Sequence, residues 1–231
     1  MSNFYQQKKH LFFDLDHTIW DFDKNSEYTF KQVLQPYNFP FTLQDFIEVY
    51  LPINQKYWKI YQENKITHED LRFHRLNDVF LKLNHKVHQS IIHQISEDYI
   101  LHLPNSNHLL EGALEILSYL KHKYILHIIT NGFAFVQNKK LENAQIKHYF
   151  TTVTNSEMAG VKKPHQNIFN FALSLAKASK EESLMIGDSL DADIFGALNF
   201  GIDAIYFNPE NNRVNPEVVQ INHLLELKKM L

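Results

Sequence analysis

The sequence LFFDLDHT at residues 11–18 joins a short apolar run to a polar cluster that contains two aspartates. Residues 11–13 are continuously apolar rather than alternating, which is typical of a strand buried on both faces. Four similar runs follow only after residue 120, at residues 125–129, 150–153, 184–186 and 204–207. The sequence therefore predicts five short strands, the first of which lies in the middle of a sheet.

Helical patterns separate the later runs. They cover residues 135–144, 168–178 and 194–200, and Gly201 is placed to end the last of them. A chain that alternates strands with helices forms a parallel sheet, because parallel neighbours need crossover connections, and these are right-handed. We therefore predict an α/β fold built on a parallel sheet.

Residues 21–102 carry a different pattern. No strand-like run interrupts them, and their apolar residues recur at the three-to-four spacing of a helix. Pro52 predicts a kink in one of these helices or its division into two, and residues 67–70 resemble the capping box that begins another. We therefore predict a helical domain over residues 21–102, inserted into a core made of residues 1–20 and 103–231.

Polar side chains follow the first four predicted strands, beyond the point where each strand ends. In chain order they are Asp14, Asp16 and Thr18, then Thr130, Asn131 and Gly132, then Lys162 and Lys163, then Asp188, Ser189 and Asp193. Ligands of open parallel sheets bind beyond the carboxyl ends of the strands, near the point where the strand order reverses. We therefore expect these acids, the hydroxyl and the cation to converge at one edge of the sheet.

Two carboxylates so close to a strand end suit different tasks. A turn after the strand lets Asp14 and Asp16 point in different directions, so that one attacks a substrate while the other transfers protons. Several carboxylates at one place repel one another unless a divalent cation joins them, and Mg²⁺ prefers such oxygen ligands. A phosphoryl group beside Mg²⁺ needs further donors, which Lys163, Thr130 and the backbone around Asn131 supply. The residues therefore indicate phosphoryl transfer at a Mg²⁺ site.

The composition limits the partners. With 23 basic and 26 acidic residues the formal charge is −3, so the chain lacks the global positive field that holds a polynucleotide. Its lack of cysteine excludes disulfides, thiolate metal sites and a cysteine nucleophile, and fits a reducing compartment. No apolar stretch approaches the ~20 residues that span a bilayer. We expect a cytoplasmic monomer or weak homodimer that acts on a small phosphomonoester and binds neither nucleic acid polymers nor membranes.

The four polar clusters resemble the motifs of the haloacid dehalogenase-like (HAD) hydrolase superfamily. Those motifs are DxDxT, a Thr or Ser at a strand end, a Lys, and GDxxxxD. Here they read DLDHT at residues 14–18, IITNG at 128–132, GVKKP at 160–164 and GDSLDAD at 187–193. The resemblance covers nearly the whole chain. It implies a Rossmann-like core with a helical cap inserted between the first and second motifs.

The resemblance also implies a role for each motif residue. Asp14 is then the nucleophile that forms an aspartyl-phosphate, and Asp16 is the acid that protonates the leaving oxygen and the base that activates water. By the same resemblance, the phosphate is bound by Thr130, Asn131 and Lys163. The Mg²⁺ ligands are Asp14, the backbone carbonyl of Asp16, and Asp188. Asp193 and Ser189 support these ligands.

Further stretches resemble the YjjG-type branch of pyrimidine nucleotide 5′-nucleotidases. They are WDFD at residues 20–23, Asn54 and Trp58, Ile66 and Leu71 followed by Arg75, TNGF at 130–133, and NFGIDAIYFN at 199–208. This branch implies a nucleoside 5′-monophosphate as substrate. It also implies that Trp58 and Arg75 contact the leaving group.

Other functions share parts of this pattern. A sugar-phosphate phosphatase or a phosphohexomutase would use the same core, and release of phosphate separates a phosphatase from a mutase. A 2-haloacid dehalogenase would have no need of Asp16. A catalytically silent binding module would have no need to keep all four motifs. Trp58 has a second interpretation as a core residue, because aromatic residues at helical spacing usually pack, and Arg75 has one as a solvated surface residue.

Overall fold

The computed structural model describes residues 5–231, so the first four residues of the predicted core lie outside the described part of the chain. The described residues form two compact units. The helical unit is Asp23–Ser106, and the sheet unit comprises residues 5–22 together with Asn107–Leu231. None of the described helices is both long and apolar enough to cross a membrane.

Four helices account for the helical unit. They are α1 (Phe22–Leu34), α2 (Leu43–Gln62), α3 (His68–Lys82) and α4 (Gln89–His102). The predicted capping box begins α3, where the Thr67 hydroxyl accepts from the N–H of Asp70 and the Asp70 carboxylate accepts from the N–H of Thr67. Pro52 lies inside α2, which continues over 20 residues. Of the two outcomes predicted for Pro52, a kink or a division of the helix, the division is therefore wrong. The buried Tyr50 and Asn54 flank Pro52, and their packing keeps the helix together although proline cannot donate a hydrogen bond.

An aromatic cluster forms the core of the helical unit. The ring centroid of Phe30 lies 4.3 Å from that of Tyr99, 4.6 Å from Tyr50 and 4.8 Å from Phe46. All four side chains are buried. Such aromatic pairs add about 0.5–1.5 kcal/mol each beyond the burial of their area. The helical unit therefore has a core of its own.

Six parallel strands form the sheet, in the order β3-β2-β1-β4-β5-β6. They are β1 (His10–Phe13), β2 (Ile125–Thr130), β3 (Phe150–Asn155), β4 (Ser183–Gly187), β5 (Asp203–Phe207) and β6 (Gln220–Ile221). The predicted α/β fold with a Rossmann-like parallel sheet is thereby confirmed. The sixth strand was not predicted, because two residues are too few to show a pattern. The strand order reverses at β1, which pairs with β2 on one side and β4 on the other.

Five helices flank the sheet, each one or two residues away from its prediction where one was made. They are α5 (Ala113–Leu120), α6 (Ala134–Asn143), α7 (Ser156–Ala159), α8 (Gln166–Ala176) and α9 (Gly196–Phe200). A widened helical turn, Leu190–Phe195, leads into α9, and Gly201 ends it with φ +94° as predicted. Every residue of β1 is buried, as expected for a strand covered on both faces.

Three polar side chains of the sheet are linked by hydrogen bonds, and two of them, His10 and His127, are buried. Nε2 of His127 lies 3.0 Å from Nδ1 of His10, and Nδ1 of His127 lies 2.7 Å from Oγ1 of Thr152. Burial and the neighbouring His10 lower the pKa of His127 to about 4. His127 is therefore neutral in the folded protein, and one of its ring nitrogens donates while the other accepts.

We expect His127 to make the protein less stable in acid. Between pH ~6.5 and pH ~4 the unfolded chain binds a proton at this residue and the folded chain does not, so the unfolding free energy falls as the pH drops through that range. At pH 5 this loss is on the order of 2 kcal/mol. In urea unfolding at pH 7.5 and pH 5, H127Q should lose less stability on acidification than the wild type. The exposed His122 offers the control H122Q, and equal pH dependence in all three proteins would contradict the assignment.

Candidate active site

The four polar clusters meet beyond the carboxyl ends of the central strands. Asp14 follows β1 directly, and its backbone N–H donates to the carbonyl of Ile186 in β4 at 2.9 Å. Strand β2 ends at Thr130, and β4 ends at Gly187, which is followed by Asp188. The reversal of strand order at β1 opens a crevice at this edge, and the expected convergence of these clusters is what the sheet topology produces.

Lys163 lies at the centre of the cluster. Its Nζ is 2.5 Å from Oδ1 of Asp14, 2.6 Å from Oδ1 of Asp193 and 2.7 Å from the carbonyl oxygen of Ile129. The residue is only 2% exposed, whereas Lys162 is half-buried. Burial alone would lower the pKa of Lys163, but the two carboxylates outweigh it and raise the pKa above its usual value. Lys163 is therefore charged. It donates hydrogen bonds to Asp14 and Ile129 and forms an ion pair with Asp193.

Three carboxylates could hold a divalent cation. One oxygen from each of Asp14, Asp188 and Asp193 lies within 4.8 Å of the others. Burial raises the pKa of Asp14 well above its usual value even though Lys163 opposes the shift, and burial together with Asp193 raises the pKa of Asp188 to about 7. These groups are expensive to ionise without a cation, and their all-oxygen chemistry suits Mg²⁺. The site therefore fits the metal that the sequence predicts.

Gly187 makes the close approach of Asp193 possible. A Cβ at Gly187 would lie 2.3 Å from Oδ2 of Asp193, which is too short for any side chain. The same Oδ2 accepts from the backbone N–H of Ser189 at 3.0 Å, while the Ser189 hydroxyl caps the following helical turn by accepting from Ala192. Ser189 therefore supports the position of Asp193 through its backbone.

The carboxylate of Asp16 lies outside the three-carboxylate cluster. Its Oδ2 accepts from Nε2 of Gln137 at 2.8 Å, and Nζ of Lys140 lies 2.5 Å from its Oδ1. Gln137 also donates to Oγ1 of Thr130 at 2.7 Å. Gln137 and Lys140 were not among the site residues predicted from the sequence. Their only sequence signal is that they lie three residues apart on one face of the helix that follows TNG.

Asn131 supports the lysine rather than facing a ligand with its side chain. Its Oδ1 accepts from the backbone N–H of Lys163 at 2.7 Å, and its Nδ2 donates to the backbone carbonyl of Lys163 at 3.0 Å. The amide is thus committed to fixing the Lys163 loop. Any phosphate contact of Asn131 would come from its backbone N–H.

Trp58 and Arg75 belong to the helical unit. Trp58 is half-buried on α2, with its ring centroid 5.7 Å from that of Tyr61. Arg75 is only 2% exposed, so its interpretation as a solvated surface residue is wrong. Its Nη1 donates to Oδ1 of Asn54 at 2.8 Å, and its guanidinium lies 5.2 Å from the ring centroid of Tyr99. The aromatic core supplies a cation–π contact that offsets part of the cost of burying this charge.

The chain is similar to known proteins over most of its length. The family model for haloacid dehalogenase-like hydrolases matches residues 11–207. The chain is 34% identical to the pyrimidine 5′-nucleotidase PynA of Streptococcus pneumoniae, over 88% of this chain and 85% of PynA. It is 31% identical to the pyrimidine 5′-nucleotidase YjjG of Escherichia coli, over 96% of each chain.

A solved structure is similar over the same extent. The crystal structure of the HAD-hydrolase YfnB from Bacillus subtilis, described as bound to magnesium, superposes with a TM-score of 0.86. The two sequences are 29% identical, and the match covers 96% of this chain and 97% of YfnB. The likeness therefore extends over both the sheet unit and the helical unit.

We expect Mg²⁺ to stabilise the protein by relieving repulsion among the three carboxylates. The Tm should rise with Mg²⁺ concentration in a thermal unfolding titration, and D188N should weaken the apparent affinity at least ~10-fold because it removes a candidate ligand. The matched control is D191N, which changes an exposed aspartate three residues away. An equal Mg²⁺ response in D188N and D191N would contradict the predicted ligand set.

Proposed function

The chain belongs to the haloacid dehalogenase-like hydrolase family, and we propose that it hydrolyses phosphomonoesters with Mg²⁺ through an aspartyl-phosphate on Asp14. The observation that supports this most directly is the pairing of Asp14 with Lys163 at the end of the central strand. The lysine takes Oδ1 of Asp14, and Oδ2 is the oxygen that we propose attacks phosphorus. A buried carboxylate beside a fixed cation suits nucleophilic catalysis on an anionic substrate.

The reaction has two steps, and Asp16 serves in both. In the first, an Asp14 oxygen forms a bond to phosphorus, the ester P–O bond breaks, and Asp16 gives its proton to the leaving oxygen. In the second, Asp16 takes a proton from water, the water oxygen attacks phosphorus, and the bond to Asp14 breaks to release phosphate. Bound at Asp14, Asp188 and the backbone carbonyl of Asp16, Mg²⁺ would neutralise charge on the phosphoryl oxygens.

Phosphate recognition falls to Thr130, Lys163 and the backbone N–H of Asn131. Lys163 carries the positive charge, but it already donates to Asp14 and Ile129 and forms an ion pair with Asp193. A phosphoryl oxygen at Lys163 would therefore compete with these protein groups. Asp193 pairs with Lys163 and accepts from the backbone N–H of Ser189. We assign it the role of supporting the metal ligands and the lysine.

Asp14 provides the test of the reaction. D14N should abolish phosphate release from an aryl phosphate, because an amide of nearly the same size cannot attack phosphorus. Circular dichroism checks that the variant is folded, and D191N is the matched control. Borohydride reduction of the wild type during turnover should convert Asp14 to homoserine, detected by mass spectrometry. Turnover by folded D14N at the wild-type rate would overturn the nucleophile.

We further propose that pyrimidine nucleoside 5′-monophosphates are the preferred substrates and that the helical unit is the cap that recognises their leaving group. The support is the resemblance to the pyrimidine nucleotidase branch, together with the names of PynA and YjjG. Trp58 offers a half-buried aromatic face for a base, and Arg75 supplies a cation in the same unit.

Substrate preference provides a second test. The kcat/KM for pyrimidine 5′-monophosphates should exceed that for hexose phosphates, and W58A should reduce this preference by roughly 10-fold, the scale of one lost stacking contact. Acetyl phosphate, which has no base, should be affected less. F73A, which removes another half-buried aromatic ring from the helical unit, is the control. A preference for hexose phosphates would instead favour a sugar-phosphate phosphatase, and isomerisation without phosphate release would favour a phosphohexomutase.

A further inference from the structure

The side-chain amide of Gln137 connects two motifs. Its Nε2 donates to Oγ1 of Thr130 at 2.7 Å and to Oδ2 of Asp16 at 2.8 Å. The residue is 1% exposed, so these contacts are shielded from water. An amide nitrogen has two hydrogens. Both N–H groups of the Gln137 side chain therefore donate to these two residues.

Gly132 provides the space for this amide. A Cβ at position 132 would lie 2.0 Å from Nε2 of Gln137, so no other residue fits there without displacing the amide. The backbone N–H of Gly132 donates to Oγ1 of Thr130 at 3.0 Å. Gly132 and Gln137 thus both donate to the hydroxyl oxygen of Thr130.

These two contacts fix the direction of the Thr130 hydroxyl. A hydroxyl has two acceptor positions and one hydrogen. Gly132 and Gln137 occupy both acceptor positions, so Thr130 can only donate its hydrogen elsewhere. A phosphoryl oxygen accepts and never donates at this site, so the hydroxyl is already oriented for it.

Lys140 fixes the other side of Asp16. Its Nζ lies 2.5 Å from Oδ1 of Asp16 and 4.1 Å from the ring centroid of Trp20, and the lysine is buried. Lys140 and Gln137 together engage both oxygens of a carboxylate that is itself 21% exposed. When Asp16 gives up a proton, the negative charge that develops on it faces two donors that are already in place.

We propose that Gln137 and Lys140 are positioning residues that orient the proton-transferring carboxylate of Asp16, and that Gln137 orients it jointly with the Thr130 hydroxyl. Neither residue contacts the substrate in this assignment. The proposal rests on the proposed function, because Asp16 and Thr130 have these tasks only in phosphomonoester hydrolysis.

The test compares inward and outward residues of α6. The variants are Q137M and K140M, and their matched controls are N138M and K139M, which change an exposed amide and a less buried lysine on the same helix. We expect kcat for an alkyl phosphate to fall by roughly 10–100-fold in Q137M and K140M, the scale seen when a supporting contact is lost. The KM should change little in K140M and rise in Q137M, which also releases Thr130. The controls should match the wild type.

Two further measurements separate positioning from a general structural role. An aryl phosphate with a good leaving group needs little protonation, so K140M should slow its hydrolysis less than that of the alkyl phosphate. In a D16A background, K140M should have less than about a threefold further effect, because the group through which it acts is gone. K140R, which retains the cation, should recover most of the activity and covers the case in which K140M fails to fold.

The outcomes distinguish this proposal from the function on which it rests. If the wild type releases no phosphate from either ester, the proposed function fails and the positioning roles fail with it. If the wild type is active but Q137M and K140M behave like N138M and K139M, only the positioning roles are overturned. An equal loss from K140M with and without Asp16 would also overturn them.

Discussion

The buried ammonium group of Lys163 is the interaction on which the site depends. It contacts Asp14 immediately after β1, Ile129 in β2 and Asp193 in the turn after β4. Removing one partner of a buried ion pair typically costs about 3–5 kcal/mol, because the remaining charge is left without compensation. The backbone around Lys163 is fixed in turn by the side chain of Asn131. Several residues at this end of the sheet thus hold the Lys163 ammonium group between the carboxylates of Asp14 and Asp193.

The sequence predicts the sheet and the main acids because both leave local marks. Short apolar runs give the central strands, and the polar residues beyond them, such as Asp14 and Asp188, must meet where parallel strands end. Gln137 and Lys140 leave no such mark, since they occupy ordinary helix positions and reach a carboxylate more than 120 residues away in the chain. The burial of Arg75 was likewise not predictable, because it depends on rings from α2 and α4.

Glycine has a similar task in the second and fourth motifs. At positions 132 and 187 a Cβ would collide with a functional side chain, Gln137 in one case and Asp193 in the other. Neither glycine is needed for a left-handed backbone conformation, since neither is among the glycines with positive φ. In each motif, glycine has no side chain and therefore leaves space. A side chain from the following helical segment packs into this space against the strand end.

The protein partners of Lys163 affect how tightly the proposed substrate binds at this site. The lysine already donates to Asp14 and Ile129 and pairs with Asp193, so in the proposed reaction a phosphoryl oxygen competes with these protein groups. The net contribution of Lys163 to affinity is then the difference between the contact that is gained and the contact that is lost. In the proposed reaction, such an exchange would weaken the binding of free phosphate and favour its release. The substrate must gain the rest of its affinity from groups that phosphate lacks.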